Sequence, residues 1–126
     1  MSRYVLDSSA VIAYLNQEPG SDKVHPLIAE AEISAVNLAE VLTKAVEAGH
    51  SIKSAFATFS LLRIDVVDYD SHQARKAAEL RPITRGLGLS LGDRSCLALA
   101  MLSNATVVTA DRAWAALDVC PVHLIR

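Results

Sequence analysis

The sequence lacks several features that would assign it to a specialised class of protein. No run approaches the roughly 18 consecutive apolar residues that a membrane-spanning helix needs, so we expect no membrane contact. The apolar N-terminal stretch contains Asp7 and has no cleavage site of small residues, which argues against a signal peptide. The 126 residues are 52% hydrophobic, which is typical of a globular chain rather than a disordered one. We therefore expect one domain, 1–126.

The chain also has few cysteines and a small net charge. The two cysteines, Cys96 and Cys120, lack the spacing of a metal or redox motif. Because Cys96 lies in an apolar run, a buried reduced thiol is favoured over a disulfide, and this favours a cytoplasmic protein. The net charge of −2 creates no overall attraction to nucleic acid. Any phosphate binding would depend on local basic residues or on bound cations.

The basic residues are unevenly spread along the chain. Several lie within one twenty-residue segment, and another follows Asp111; they are Arg75, Lys76, Arg81, Arg85, Arg94 and Arg112. Such residues are either phosphate contacts or solvated charges on helix faces. The sequence leaves both interpretations open.

The chain alternates strand-like and helix-like segments. Val107 to Asp111 predicts a buried strand that ends in a carboxylate before a short helix at 112–117, and Tyr4 to Asp7 repeats the pattern before an apolar helix. We predict strands at 3–6, 32–35, 64–67, 106–109 and 122–125, with helices at 8–16, from Ser21, and at 36–48, 51–61, 71–80 and 93–102. A glycine-rich loop is predicted at 84–92. This alternation is typical of an α/β fold with a parallel sheet.

Four acidic residues fall where the carboxyl ends of parallel strands meet. They are Asp7, Glu40, Asp93 and Asp111. Taken singly, each aspartate could simply cap a helix, and Glu40 could form an exposed pair with Lys44. Together, the carboxylates would repel one another unless a divalent cation bound them, and oxygen ligands suit Mg²⁺ or Mn²⁺. Histidine and cysteine lack the spacing of a zinc site.

Four segments resemble, in order, the motifs of PIN-domain nucleases, and more narrowly those of VapC-type toxins of toxin–antitoxin pairs. The segments are Val5-Leu6-Asp7-Ser8-Ser9-Ala10, Ser34-Ala35-Val36-Asn37-Leu38-Ala39-Glu40, Leu89-Ser90-Leu91-Gly92-Asp93 and Val108-Thr109-Ala110-Asp111-Arg112. The similarity extends from the first predicted strand to the last. It implies a three-layer α/β/α PIN-like fold with a central parallel sheet of about five strands.

The resemblance also implies an activity and its residues. The chain would be a Mg²⁺- or Mn²⁺-dependent endoribonuclease, with the four acidic residues as its catalytic and metal-binding set. Ser8, Asn37 and Thr109 would orient those carboxylates or a bound water. We add Arg85, Arg94 and Arg112 as candidates for contact with RNA phosphates.

The resemblance implies protein partners as well, namely a second copy of the chain in a homodimer and a VapB-type antitoxin that silences the toxin. Apolar residues of the first two predicted helices could serve such a partner or simply pack on the sheet. These residues are Val11, Tyr14, Leu15, Leu27 and Ile28.

Two other classes compete with the nuclease. A phosphoryl-transfer domain is disfavoured, because a haloacid-dehalogenase-like phosphatase needs an aspartate where Ser9 stands. A response-regulator receiver needs a lysine that the segment 122–125 lacks. The other alternative is a catalytically idle interaction module whose acidic residues only cap helices. Measurable Mn²⁺ binding separates that module from the nuclease.

Overall fold

A central sheet of five parallel strands organises the chain in the computed structural model, which describes residues 2–126. The strands are β1 (Tyr4–Leu6), β2 (Ala31–Ser34), β3 (Asp65–Val67), β4 (Thr106–Thr109) and β5 (Val122–Leu124). Their order across the sheet is β3-β2-β1-β4-β5, and every neighbouring pair is parallel. The predicted parallel sheet is confirmed, and each strand begins and ends within one residue of its predicted bounds.

Seven α-helices flank the sheet within the described residues. They are α1 (Ser8–Leu15), α2 (Ser21–Val24), α3 (Ala35–Glu47), α4 (Ile52–Ser60), α5 (Ser71–Glu79), α6 (Arg81–Thr84) and α7 (Leu91–Ser103). Three 3₁₀ segments join them, at His25–Glu30, Arg85–Leu87 and Arg112–Ala116.

Alternating side chains of the central strands build two cores, one on each face of the sheet. Leu6 and Val108 pack into the core with residues of α1 to α4. Their neighbours Val5 and Val107 point the other way, into the core formed with α5, α7 and Trp114. Successive strand residues face opposite sides of a sheet, so the near-continuous apolar strands are those of a sheet covered on both faces. The predicted three-layer α/β/α arrangement is confirmed.

The apolar residues of the first helices belong mainly to the core. Val11 is fully buried, and Tyr14, Leu15, Leu27 and Ile28 are partly buried against the same cluster. Their position favours packing on the sheet over a surface reserved for a partner.

The predicted loop at 84–92 is wrong in most of its length. The segment continues as helix α6 and the 3₁₀ turn Arg85–Leu87, and α7 begins at Leu91. Of its three glycines only Gly88 has a positive φ, at 68°, so the other two adopt a backbone open to any residue. Asp93 consequently lies inside the first turn of α7 and is not the residue before the helix.

The helix expected from Ser21 is present but short, and it ends as an α-helix at Val24. It is capped by Gly20 in the left-handed region and passes into the 3₁₀ segment at His25, with Pro26 in its first turn. Proline has no amide hydrogen and therefore cannot donate the bond that a continuing α-helix would need at position 26.

Both cysteines are free thiols; Cys96 is buried, as predicted, and Cys120 is partly buried. Among the helices of residues 2–126, none combines the length and apolarity that crossing a bilayer requires.

Candidate functional site

Asp7 lies at the point where the order of the strands reverses. The chain goes from β1 to β2 and β3 on one side, and β4 and β5 occupy the other side. The amide of Asp7 donates to the carbonyl of Val108 on β4 at 3.1 Å. Ligands of open α/β sheets bind at such a switch point, beyond the carboxyl ends of the strands. The two strands predicted to end together in acidic residues are therefore neighbours.

Three hydrogen bonds fix the carboxylate of Asp7. Oδ1 accepts from the Ser9 hydroxyl at 2.7 Å and from the amide of Ala10 at 2.9 Å, and Oδ2 accepts from the Thr109 hydroxyl at 2.5 Å. The bond from Ala10 makes Asp7 the N-cap of α1. Asp7 is thus a helix cap and, at the same time, is joined to the end of β4.

Burial of Asp7 makes its ionisation unfavourable. The residue is only 4% exposed, and burial raises its pKa from an ordinary 3.8 to about 6. The hydrogen bonds from Thr109, Ser9 and Ala10 lower the pKa, whereas the negative charge of Asp93 raises it. The salt bridges found within residues 2–126 join other residues. Asp7 is therefore a buried carboxylate that has hydrogen bonds but no basic partner in the described chain.

Glu40 is held by Asn37 rather than by Lys44. The fully buried Asn37 donates from Nδ2 to Glu40 Oε1 at 2.8 Å and to the carbonyl of Gly92 at 3.1 Å. No ion pair with Lys44 is present in the described residues, so the simple surface pair considered for Glu40 is wrong. Asn37 joins Glu40 to the first turn of α7, immediately before Asp93.

Asp93 forms a capping box at the start of α7. Its Oδ2 accepts from the amide of Ser90 at 2.9 Å, and the Ser90 hydroxyl accepts from the amide of Asp93 at 3.1 Å. Asp93 is half-buried and close enough to Asp7 to raise its pKa.

The pKa of the Cys96 thiol is raised by burial and by three of the carboxylates. Burial is the main reason that its pKa lies well above the usual value, and the negative charges of Asp7, Asp93 and Glu40 raise it further, together with Cys120. The hydrogen bonds of Asn37 and Ser90 place Glu40 and Asp93 at the start of α7.

Asp111 is connected to this group through Thr109. Its amide donates to the Thr109 hydroxyl at 3.0 Å, and its own Oδ1 accepts from the amide of Ala113 at 3.0 Å as an N-cap. The residue is exposed. The structure therefore joins the backbone of Asp111 to Asp7, while its carboxylate caps the 3₁₀ segment that follows.

The neighbouring polar residues are partly those expected. Asn37 and Thr109 contact Glu40 and Asp7. Ser9, and not Ser8, contacts Asp7, and it also accepts from the amide of Ala110 at 2.9 Å. The sequence presents two adjacent serines, and only the strand order, which puts β4 beside α1, tells which of them faces the site.

The basic candidates differ in their surroundings. Arg85 is exposed, and Arg112 is exposed and donates from Nε to the carbonyl of Arg126 at 3.3 Å. Arg94 instead donates from Nη1 to the carbonyl of Ala77 at 3.0 Å, which turns its guanidinium toward α5. The structure leaves Arg85 and Arg112 open to solvent and engages Arg94 within the fold.

A divalent cation fits the chemistry of these donors. In residues 2–126, no group of three or more His, Cys, Asp or Glu side chains is already arranged to hold a metal ion. Asp93 accepts from the amide of Ser90 within the capping box of α7, and Asp111 caps the 3₁₀ segment that follows it. The donors are oxygens, which suit Mg²⁺ or Mn²⁺. The buried side chain of Asp7 has the uncompensated charge that a cation would neutralise.

Comparison with known proteins agrees with the motifs. Residues 4–119 match the family model of the PIN domain. No curated protein matches the chain.

Similar solved structures cover nearly the whole chain. One is the DNA-bound VapBC from Salmonella typhimurium, with 20% identity, 100% of each chain covered and a TM-score of 0.78. A toxin-antitoxin complex from Klebsiella pneumoniae is 19% identical, with 98% of each chain covered and a TM-score of 0.75. VapBC-5 from Mycobacterium tuberculosis, of the VapBC family of toxin-antitoxin systems, is 26% identical. The match covers 100% of this chain and 99% of that chain, with a TM-score of 0.63. The resemblance of the four motifs is confirmed, and the chain belongs to the PIN-domain family.

Proposed function

We propose that this chain is a divalent-metal-dependent endoribonuclease that hydrolyses RNA phosphodiester bonds and acts as the toxin of a toxin–antitoxin pair. The observation that carries the proposal is the environment of Asp7. A carboxylate is buried at the switch point of the sheet without a basic partner in the described chain, beside a second carboxylate that repels it. Such an arrangement is unfavourable in a structural site and useful in one that binds a cation.

The metal ligands in this proposal are Asp7, Glu40, Asp93 and Asp111. A bound Mg²⁺ or Mn²⁺ supplies charge neutralisation at the scissile phosphate and activation of an attacking water. Mg²⁺ commonly takes only one or two protein carboxylates, so not all four residues need to bind directly.

The chain's own polar groups orient these ligands. Ser9 and Thr109 hold the carboxylate of Asp7 from opposite oxygens, and Asn37 holds Glu40. Neighbours of this kind fix the orientation of a ligand, and their loss commonly weakens metal binding. Arg85 and Arg112 are the exposed cations that we assign to RNA phosphates, whereas Arg94 contacts Ala77 within the fold.

The idle interaction module remains the second candidate, because specific observations favour it. Asp7, Asp93 and Asp111 all accept amide hydrogen bonds at helix starts, as expected of caps. Capping does not require burial, however, and Asp111 caps its segment while exposed. The burial of Asp7 is therefore better explained by a cation site.

The proposed partner is an antitoxin protein of the VapB type, with a second copy of the toxin in a homodimer. Support for the antitoxin comes from the similar structures, which are VapBC and other toxin-antitoxin complexes. An antitoxin segment that folds on binding would be recovered as a stable complex on co-expression. Failure of the chain to bind the product of the neighbouring gene would contradict this part of the proposal.

RNA cleavage by the purified chain tests the activity. We expect cleavage with Mn²⁺ or Mg²⁺, none with EDTA, and none from folded Asp7→Asn or Asp93→Asn proteins. The matched control is Asp65→Asn, which makes the same change at an exposed residue. Asp65 begins the edge strand β3 and so lies at the amino ends of the strands, away from the site. Cleavage by a well-folded Asp93→Asn protein at the wild-type rate would remove that residue from the catalytic set.

A further inference from the structure

The carboxylate of Glu40 lies directly against the backbone of Gly92. A Cβ built on Gly92 would be 2.8 Å from Cδ of Glu40 and 2.9 Å from its Oε1, and closer still to its Oε2. Real Cβ atoms essentially never make contacts under 3.0 Å. Any side chain at position 92 would therefore occupy the place of this carboxylate.

The backbone at Gly92 does not itself require glycine. The residue is in the first turn of α7, and its φ is not in the positive range that favours glycine. Alanine is preferred over glycine in a helix. The functional property of Gly92 is consequently the space that its missing side chain leaves.

A hydrogen bond from Asn37 opposes displacement of the Glu40 carboxylate, which would otherwise move readily because it is the end of a flexible side chain. It is fully buried, and one amide nitrogen binds both Glu40 Oε1 and the carbonyl of Gly92. A displaced Glu40 carboxylate would lose this bond, and Asn37 has no water-exposed position in which to replace it. Gly92, Asn37 and Glu40 thus form one packed unit.

We propose that Gly92 is a positioning residue. Because it has no side chain, the carboxylate of Glu40 can lie against its backbone, beside Asp93. Glu40 comes from α3 and Asp93 from α7, so the contact across Gly92 sets the approach of these two acidic residues. The placement follows from geometry alone. Only its consequence for metal binding depends on the proposed function.

The test compares Gly92→Ala with Gly86→Ala. Gly86 is exposed, has no positive φ, and a Cβ there meets no atom within 4 Å. In metal-free protein, we expect Gly92→Ala to shift the side-chain amide resonances of Asn37 and to speed their exchange with water. Gly86→Ala should leave them unchanged. Unaltered Asn37 resonances in a folded Gly92→Ala protein would overturn the proposal.

Thermal unfolding in EDTA gives an independent test that also covers a variant that folds poorly. In a Glu40→Ala background the obstructing carboxylate is gone, so Gly92→Ala should raise Tm by about 2–5 °C through helix propensity. With Glu40 present, the same substitution should leave Tm unchanged or lower it. Equal effects in the two backgrounds would mean that position 92 acts independently of Glu40.

Mn²⁺ affinity connects the placement to the proposed function. We expect Gly92→Ala to weaken Mn²⁺ binding by about 10- to 100-fold, as for other residues that orient ligands, and to add nothing in the Glu40→Ala background. Affinity unchanged by Gly92→Ala would contradict a positioning role for the metal. If wild-type protein bound no Mn²⁺, the proposed function would fail, whereas the Asn37 resonances and the Tm comparison would still decide the placement.

Discussion

Asp7 has favourable hydrogen bonds, but the ionisation of its carboxylate is unfavourable. Its carboxylate caps α1 and accepts two hydroxyl groups, so its hydrogen bonds are well satisfied. Burial nevertheless raises its pKa to about 6, because hydrogen bonds replace only part of the hydration that the charge loses. Under the proposed function a bound cation would offset this cost, so the unfavourable ionisation of Asp7 is a property of the metal-free protein.

The pH dependence of stability should reveal this conflict. Because the folded pKa of about 6 exceeds the ordinary value of 3.8, the folded state binds the proton more tightly. The contribution of Asp7 to stability is therefore full below about pH 4 and is lost as pH rises through about 6. The loss by pH 7 is about 3 kcal/mol. Asp7→Asn should lack it.

Urea unfolding in EDTA between pH 4 and pH 7.5 measures the difference between wild type and Asp7→Asn. The wild-type protein should lose stability relative to the variant as pH rises. A constant difference across this range would show that Asp7 keeps an ordinary pKa in the fold.

Ser9 should matter more than Ser8 for stability. Ser9→Ala removes a donor to Asp7 and the acceptor for the amide of Ala110, so we expect a loss of about 1–3 kcal/mol. Ser8→Ala, the matched control, should stay within about 0.5 kcal/mol. Chemical denaturation at pH 7 measures both, and a larger effect at Ser8 would contradict the contacts described.

The residues of the site were predictable to different degrees. Asp7 and Asp111 could be identified because each follows an apolar strand and opens a helix. The choice between Ser8 and Ser9 could not be made, because it depends on which strand lies beside α1. The bond of Asn37 to the carbonyl of Gly92 joins residues far apart in sequence, and no local pattern reports it.

At the scale of elements, the start of α7 is where sequence and structure differ most. Glycine permits many conformations without requiring them, so three glycines between 84 and 92 were a poor guide to a loop. The sequence Ser90-Leu91-Gly92-Asp93 has instead the spacing of a capping box. Because of this box, α7 begins earlier than predicted and Asp93 lies within its first turn.

The capping box should stabilise α7 measurably. Ser90→Ala removes the hydroxyl that accepts from the amide of Asp93, and we expect the free energy of unfolding to fall by about 1 kcal/mol. Ser90→Thr keeps an acceptor and should lose less. Urea denaturation of both variants provides the measurement. Equal stability of Ser90→Ala and wild type would mean that the cap contributes little to this helix.

At the scale of the whole molecule, the alternation of strands and helices was enough to predict the parallel sheet and its two covered faces. Strand order was not predictable, since the alternation allows several orders. The observed order puts β1 between β2 and β4. This order makes Asp7 a neighbour of Thr109, whose hydroxyl also accepts from the amide of Asp111.

Calorimetric titration with Mn²⁺ measures whether Asp7 and its acidic neighbours bind a divalent cation. We predict saturable binding to the wild-type chain and to Asp65→Asn, and loss of binding in a folded Asp7→Asn protein. Helix caps alone would not bind Mn²⁺ measurably. Absence of saturable binding to the wild-type protein, or undiminished binding to Asp7→Asn, would exclude a cation site that depends on Asp7.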